Sequence, residues 1–246
     1  MASSLLQVDA ALAFLIFGAL AVGLAVGASG FGDALVGSAI WLHAYPPQQT
    51  VALVLLASLV VHAVSFRALR ADFSWSRSTP FLISGLVGVP AGAWLLQHID
   101  PSGIKTGLGF ALVAMGVTLL IWAPRPFARI HRQFHYSVGV VGGVMGGFAG
   151  LSGVVPTFYA NRLPWTKGQQ RALYQPFIFV MNLSALLILA AVAGIDDVVW
   201  LRFAIALPVL IFGWWCGLQI YARINDHYFR RCVLLLLVIS GAALAL

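Results

Sequence analysis

Apolar residues run along the chain in eight blocks, at about 11–42, 51–66, 80–96, 104–123, 136–161, 172–194, 199–221 and 229–246. A bilayer-crossing helix needs ~20 mostly apolar residues, within a range of ~17–25. The block at 11–42 is too long for one crossing and too short for two. It is interrupted by Gly27-Ala28-Ser29-Gly30-Phe31-Gly32, and the block at 136–161 is broken in the same way by Gly146-Gly147-Phe148-Ala149-Gly150-Leu151-Ser152-Gly153. Glycine weakens a helix and opens the left-handed region of backbone space. Both blocks are therefore expected to be re-entrant hairpins or discontinuous helices, although 136–161 is also short enough for one tilted span.

The pattern repeats. Gly23, Gly27, Ser29 and Gly30 recur 123 positions later as Gly146, Gly150, Ser152 and Gly153. Ala52 and His62 fall on Ala172 and Asn182 at a spacing of 120, and Gly92, Ile99 and Gly116 fall on Gly217, Ile224 and Gly241 at 125. Any one match is weak. Taken in order, they predict a duplication with halves at 1–124 and 125–246.

Charge decides how the halves are oriented. Arg67, Arg70 and Arg77 follow the second block, Arg125, Arg129 and Arg132 the fourth, and Arg162, Lys167 and Arg171 the fifth, while Arg223, Arg230 and Arg231 separate the last two. If every block crossed the membrane, these charges would divide between its two sides, against the positive-inside rule. If the first and fifth blocks enter and return on one side, all of them become cytoplasmic. Lys105, Arg202 and the Asp196-Asp197 turn then lie outside, as do both termini. Each half becomes one re-entrant or broken hairpin plus three transmembrane helices. Three crossings are odd, so the two repeats have inverted topology, an architecture of secondary transporters.

Composition agrees with an all-α polytopic membrane protein. Of the 246 residues 61% are hydrophobic and 9% charged, and the mean hydropathy is +0.96. A soluble domain has about 45–50% apolar and roughly 25% charged residues. A transmembrane barrel would show ~10-residue alternating segments instead. The net charge of +7 sits between apolar blocks, with no basic run interleaved with aromatics, so no nucleic-acid partner is expected. Cys216 and Cys232 lie in or beside apolar segments and suggest neither a disulfide nor a metal. All seven acidic residues are Asp.

These motifs resemble the sulfite exporter family TauE/SafE, also called the TSUP transporters. The resemblance covers nearly the whole chain. It rests on Gly-x-x-x-Gly-x-Ser-Gly-Phe-Gly near the start, on Gly-Gly-x-x-Gly-x-x-Gly-x-Ser-Gly-x-x-x-Pro after the midpoint, and on the segments from Gly92 to Asp100 and from Gly217 to Asn225. It implies movement of sulfite, thiosulfate-like anions or organosulfonates such as sulfoacetate across the inner membrane. After Gly30-Phe31-Gly32 the family usually has another small residue, where this chain has Asp33.

The two Ser-Gly breaks are the leading candidate for the substrate site. A helix that starts inside the membrane aims unpaired N–H groups and a partial positive charge at whatever sits there. That suits a small oxyanion. Ser29 and Ser152 would add hydroxyl donors, and Gly27, Gly30, Phe31, Gly32, Gly150 and Gly153 would form the surrounding backbone. His62 and Asn182 are equivalent polar positions inside spans. Gln175 lies two helical turns before Asn182 on the same face, and Pro176 beside it should free a carbonyl. Gln175 and Asn182 are candidates to hydrogen-bond the anion, and His62 is titratable. Arg171 is a candidate to attract anions from the cytoplasm, with a snorkelling arginine as the plainer reading. Asp33, deep in an apolar block, is a candidate together with His62 to carry a coupling proton or sodium ion. The plain alternatives are close helix packing for the glycines, hydrogen bonding across helices for His62, Gln175 and Asn182, and a helix N-cap facing an aqueous vestibule for Asp33. The expected partners are thus a small anion, the lipid bilayer and a coupling ion. No cofactor or metal is called for, and the oligomeric state, a homodimer included, is left open.

Other function classes fit less well. Gly-x-Ser-Gly occurs twice and is similar to the motif of rhomboid intramembrane serine proteases, for which His62 would be the base. That motif occurs once in that family, and two symmetric serines suit binding better than nucleophilic attack. The chain has no zinc-protease motif and no nucleotide-binding loop. A passive anion channel is the other alternative, and a structural scaffold would not need paired breaks.

Overall fold

The structure, a computed structural model, describes residues 2–69, 72–98, 132–160, 163 and 165–223, with isolated helical positions between 106 and 121 and at 238 and 242. Apart from those positions, the fourth and eighth apolar blocks lie outside the described residues. So do Arg70, Ile99, Asp100, Lys105, Gly116, Arg125, Arg129, Arg162, Ile224, Asn225, Arg230, Arg231, Cys232, Gly241 and the boundary at 124/125. All regular structure among the described residues is helical: α1 (Ala2–Ser29), α2 (Asp33–Trp41), α3 (Pro47–Leu69), α4 (Trp75–His98), α5 (Arg132–Ala149), α6 (Val154–Ala160), α7 (Lys167–Val192) and α8 (Asp197–Arg223). The stretches Ala10–Ser29, Pro47–Phe66, Trp75–His98, Gly168–Val192 and Asp197–Arg223 are each long and apolar enough to cross a membrane. The protein is a polytopic helical membrane protein.

Both interrupted blocks are hairpins. The chain climbs along α1, turns through Gly30-Phe31-Gly32 and descends through α2. Trp41 Nε1 donates to the Leu15 carbonyl at 3.3 Å, and the Tyr45 hydroxyl donates to the Ala11 carbonyl at 2.6 Å. The end of the hairpin therefore lies level with its beginning. The second hairpin closes similarly. Ser152 sits beside Gly146, Pro156 beside Gly142, and the Tyr159 ring lies 5.7 Å from that of His135. A single tilted span over 136–161 is thus replaced by α5, a turn and α6.

The glycine seams give the relative directions. A Cβ on Gly88 would strike the backbone at Val140 and Val144, and one on Gly92 the backbone at Val144 and Phe148. So α4 and α5 run parallel. Gly23 meets Leu210 and Trp214, and Gly27 meets Trp214 and Gly217, so α1 and α8 also run parallel. We call face A the side where α1 enters and α3 begins, and face B the opposite one. The helix α3 runs from A to B and α4 from B to A. The second hairpin, parallel to α4 along α5, therefore opens at B. From there α7 runs B to A and α8 A to B. The described part of the second half repeats the first with inverted topology, and each hairpin packs most extensively against the other half's long helix.

Small residues make these seams possible, because lipid tails supply no hydrophobic drive for helix–helix association and close packing must. Along α4 and α5, Gly85, Gly88, Gly92, Gly143 and Gly147 all stand against the facing backbone or side chains. Replacing Gly147 or Gly217 by Val should separate the paired helices and cost about 1–3 kcal/mol, the usual scale of overpacking. Thermal unfolding in detergent would show it. Gly107→Ala, where nothing lies within 4 Å of an added Cβ, should leave the midpoint unchanged.

Candidate functional site

The first hairpin tip is a helix end buried in the protein. Gly30 (φ 80°) and Gly32 (φ 96°) take the left-handed conformation that lets the chain turn. The Gly30 amide returns to the Val26 carbonyl at 2.7 Å. The remaining carbonyls are met by one face of α7. Arg171 donates to Val26 and Gly27 at 3.1 Å each, the Tyr174 hydroxyl to Ser29 at 2.7 Å, and Gln175 to Gly30 at 3.1 Å. The Arg171 guanidinium also lies 4.6 Å over the Tyr221 ring. A buried cation at a helix C-terminus offsets the negative end of the helix dipole. Arg171 is 8% exposed and caps the end of α1.

Ser29 is occupied locally. Its hydroxyl lies 2.7 Å from the Ala25 carbonyl and 2.8 Å from that of Phe31, and it accepts from the Phe31 amide at 3.3 Å. The Phe31 ring stands edge-on to Tyr174. Gly27 belongs to the seam with α8. Beside Gly32 an added Cβ would meet only Ala25, at 3.8 Å.

The second tip is held differently. Gly150 (φ 70°) ends α5, with its amide on the Gly146 carbonyl at 2.8 Å and the Leu151 amide on Met145 at 3.1 Å. The Gly150 bond is that of an αL cap, a helix ended on a left-handed glycine. Around it stand Val54, Leu55, Ala34 and, beside Gly153, Ile178 and Phe31. Ser152 is the polar group here, and it is fully buried. Its hydroxyl donates to Asn182 Oδ1 at 2.7 Å, and Asn182 Nδ2 donates to the Ser58 hydroxyl at 2.8 Å.

That bond leaves the Ser58 proton free to point onward, toward the Asp33 carboxylate, which lies beside Ser58 and the Ala34 amide. His62 Nε2 lies 3.5 Å from Asp33 Oδ2 without hydrogen-bond geometry. A buried polar chain therefore runs from Ser152 through Asn182 to Ser58, with Asp33 and His62 beside its end. All five residues are at most 3% exposed. Asp33 begins α2, so its charge sits at the positive end of that helix dipole.

The structure thus brings together Ser152, Asn182, Asp33 and His62. Gly30, Gln175 and Arg171 form a second cluster two turns away along α7, and Ser29 faces neither neighbour. The helix α7 runs through Pro176 without ending. Ser58 and Tyr174 are additions to the site. Ser58 stands one turn before His62 and Ser65 one turn after it, a polar stripe on one face of α3 that the apolar count conceals. Tyr174 lies one turn after Arg171 on the face that binds the first tip.

The family model described as "Sulfite exporter TauE/SafE" matches residues 15–244. No curated relative and no solved structure matches the chain significantly. The match takes in both hairpins, both seams and the whole polar chain between them, and the chain therefore belongs to the TauE/SafE sulfite exporter family.

Proposed function

We propose that the protein is a secondary transporter of small sulfur oxyanions or sulfonates, such as sulfite, thiosulfate or sulfoacetate, working by alternating access across a bacterial inner membrane. The observation that carries this is the pairing of two oppositely opening hairpins whose tips lie side by side, joined by a buried polar chain. The face B ends hold Arg77, Lys167 and Arg223, whereas face A holds Asp196, Asp197 and Arg202. Face B is accordingly the cytoplasmic one and the N-terminus is periplasmic. The two halves, divided near 124, move against each other around this centre.

The anion binds at the second tip, where the Ser152 hydroxyl, the Asn182 amide and the backbone around Gly150 and Gly153 offer donors without a full charge. On the opposite side of the centre, Gly30, Phe31, Gly32, Gln175 and Arg171 shape the approach from the cytoplasm, and Ser29 holds that tip's turn. An anion entering next to Asp33 meets a like charge in a medium of low dielectric. Protonation of the Asp33–His62 pair removes that repulsion, so the pair carries the coupling proton. A ring nitrogen 3.5 Å away suits a proton better than a sodium ion, which takes oxygen ligands. Nothing in the arrangement activates a nucleophile: the Ser152 proton goes to an amide oxygen, not to a base.

Counterflow in proteoliposomes tests the carrier. Vesicles loaded with unlabelled sulfite, thiosulfate, sulfoacetate, taurine, sulfate or acetate are offered labelled sulfite or sulfoacetate. Accumulation that depends on an internal sulfur anion is expected. Equilibration indifferent to the internal anion would establish a channel instead.

Two substitutions separate binding from coupling. Asn182→Ala leaves Ser152 and Ser58 without a partner and should cost about 1–3 kcal/mol of stability along with most of the exchange. Asp33→Asn should keep counterflow but abolish acceleration by a pH gradient. A gradient response retained in Asp33→Asn would remove Asp33 from coupling.

A further inference from the structure

Among the described residues, each membrane face carries one arginine laid on an aromatic ring of the other half. At face A the Arg202 guanidinium lies 4.2 Å over the Tyr45 ring. At face B that of Arg77 lies 5.4 Å over Trp165. The two pairs correspond under the internal repeat: Tyr45 and Trp165 are 120 positions apart, and Arg77 and Arg202 are 125 apart. Those are the offsets of His62 with Asn182 and of Gly92 with Gly217. Each aromatic closes a hairpin just before α3 or α7, and the arginines sit in the first turn of α4 and the second turn of α8. Both contacts therefore tie the mouth of one hairpin to the long helix of the opposite half.

The pairs are unequal. Tyr45 is buried and its hydroxyl is anchored on Ala11. Burial holds its phenol above the ordinary value against the opposing pull of Arg202, so it stays a neutral donor at physiological pH. Arg202 also donates to Gln49 at 2.6 Å, and Gln49 donates to Asp196 at 3.1 Å. At face B, Arg77 is exposed and its ring contact is longer. Asp72 supports that side from outside, against the backbone of Gly168 in the first turn of α7. Cation–π attraction strengthens as the pair is desolvated, so the face A contact is the stronger.

We propose that these two arginine–aromatic clasps are the outer and inner gates of the transport cycle, and that the weaker one, Arg77 on Trp165, opens first. The unliganded protein then favours access from face B. The inference rests on the alternating-access reading but not on the identity of the cargo.

The test uses accessibility, which needs no substrate. Ala52 and Ala172 are equivalent positions, 3% and 2% exposed. Ala52 is in the second turn of α3 near the face A clasp, and Ala172 in the second turn of α7 near the face B clasp. Each is changed to Cys in a background with Cys216 and Cys232 replaced by Ala, and labelled in proteoliposomes by a membrane-impermeant maleimide from one face at a time. With both clasps intact, Ala172→Cys should label from face B several-fold faster than Ala52→Cys from face A. Arg202→Gln should speed labelling of Ala52→Cys by about tenfold or more and slow that of Ala172→Cys, as the population moves to the other open state. Arg202→Lys, which keeps a cation over the ring, should restore most of the original pattern. Arg77→Gln should speed labelling at Ala172→Cys alone. Equal acceleration at both reporters would mean general loosening and would overturn the proposal, as would rates unmoved by either arginine. Failed counterflow with face-specific labelling would reject the sulfur-anion cargo and leave the gates standing.

Discussion

A helix that stops inside a bilayer exposes carbonyls and amides that lipid cannot satisfy, at several kcal/mol for each group left bare. Two such stops are built into this protein, and the rest of its design follows from closing them. The first is closed from outside by α7, whose Arg171, Tyr174 and Gln175 take up the carbonyls of Val26, Gly27, Ser29 and Gly30. The second is closed mainly from within, by the amides of Gly150 and Leu151 turning back on Gly146 and Met145. Because the first tip borrows its donors from the second half, the halves cannot separate there without exposing a helix end. Motion between them has to keep that junction or exchange its bonds in one step.

The scaffold is close to symmetric and the chemistry is not. The glycine seams, hairpins and clasps all correspond between halves. At the tips the correspondence breaks: the positions equivalent to Arg171, Tyr174 and Gln175 are Val51, Val54 and Leu55. One tip is therefore gripped by polar groups and the other lies against an apolar wall with a single serine. The face of α7 that carries Arg171, Gln175, Ile178 and Asn182 meets both tips in turn. It is the element through which a change at one tip is felt at the other.

Much of this was legible in the sequence, for definite reasons. Breaks at Gly30–Gly32 and Gly150–Gly153 were visible because glycine clusters interrupt otherwise uniform apolar blocks, and inversion followed from where the arginines fall. The pairing of Ser152 with Asn182 needed tertiary contact, since residues 30 apart carry no periodic signal. Ser29 shows the limit most clearly. Its sequence context matches that of Ser152, yet its hydroxyl turns back on its own helix, a local competition that serine commonly wins near helix ends. Arg171 was legible as a charge but not as a cap, because the carbonyls it serves lie about 145 positions away.

Asp33 brings these strands together. A carboxylate in an apolar block is costly, and the structure offsets the cost three ways: the dipole of α2, the Ser58 hydroxyl and Ala34 amide beside it, and His62 nearby. None of the three fixes the proton permanently. The Ser58 hydroxyl can turn its proton toward Asp33 because Asn182 meets the serine oxygen as a donor, and Asn182 is held in that orientation by Ser152. An anion that took the Ser152 proton would release the Asn182 amide to turn and would weaken the support of charge at Asp33. If the anion binds there as proposed, the chain would link binding at one tip to proton affinity at the other without any direct contact between the two. Such a linkage would be reciprocal, as any equilibrium coupling must be: a proton on Asp33 would favour the anion as much as the anion favoured the proton.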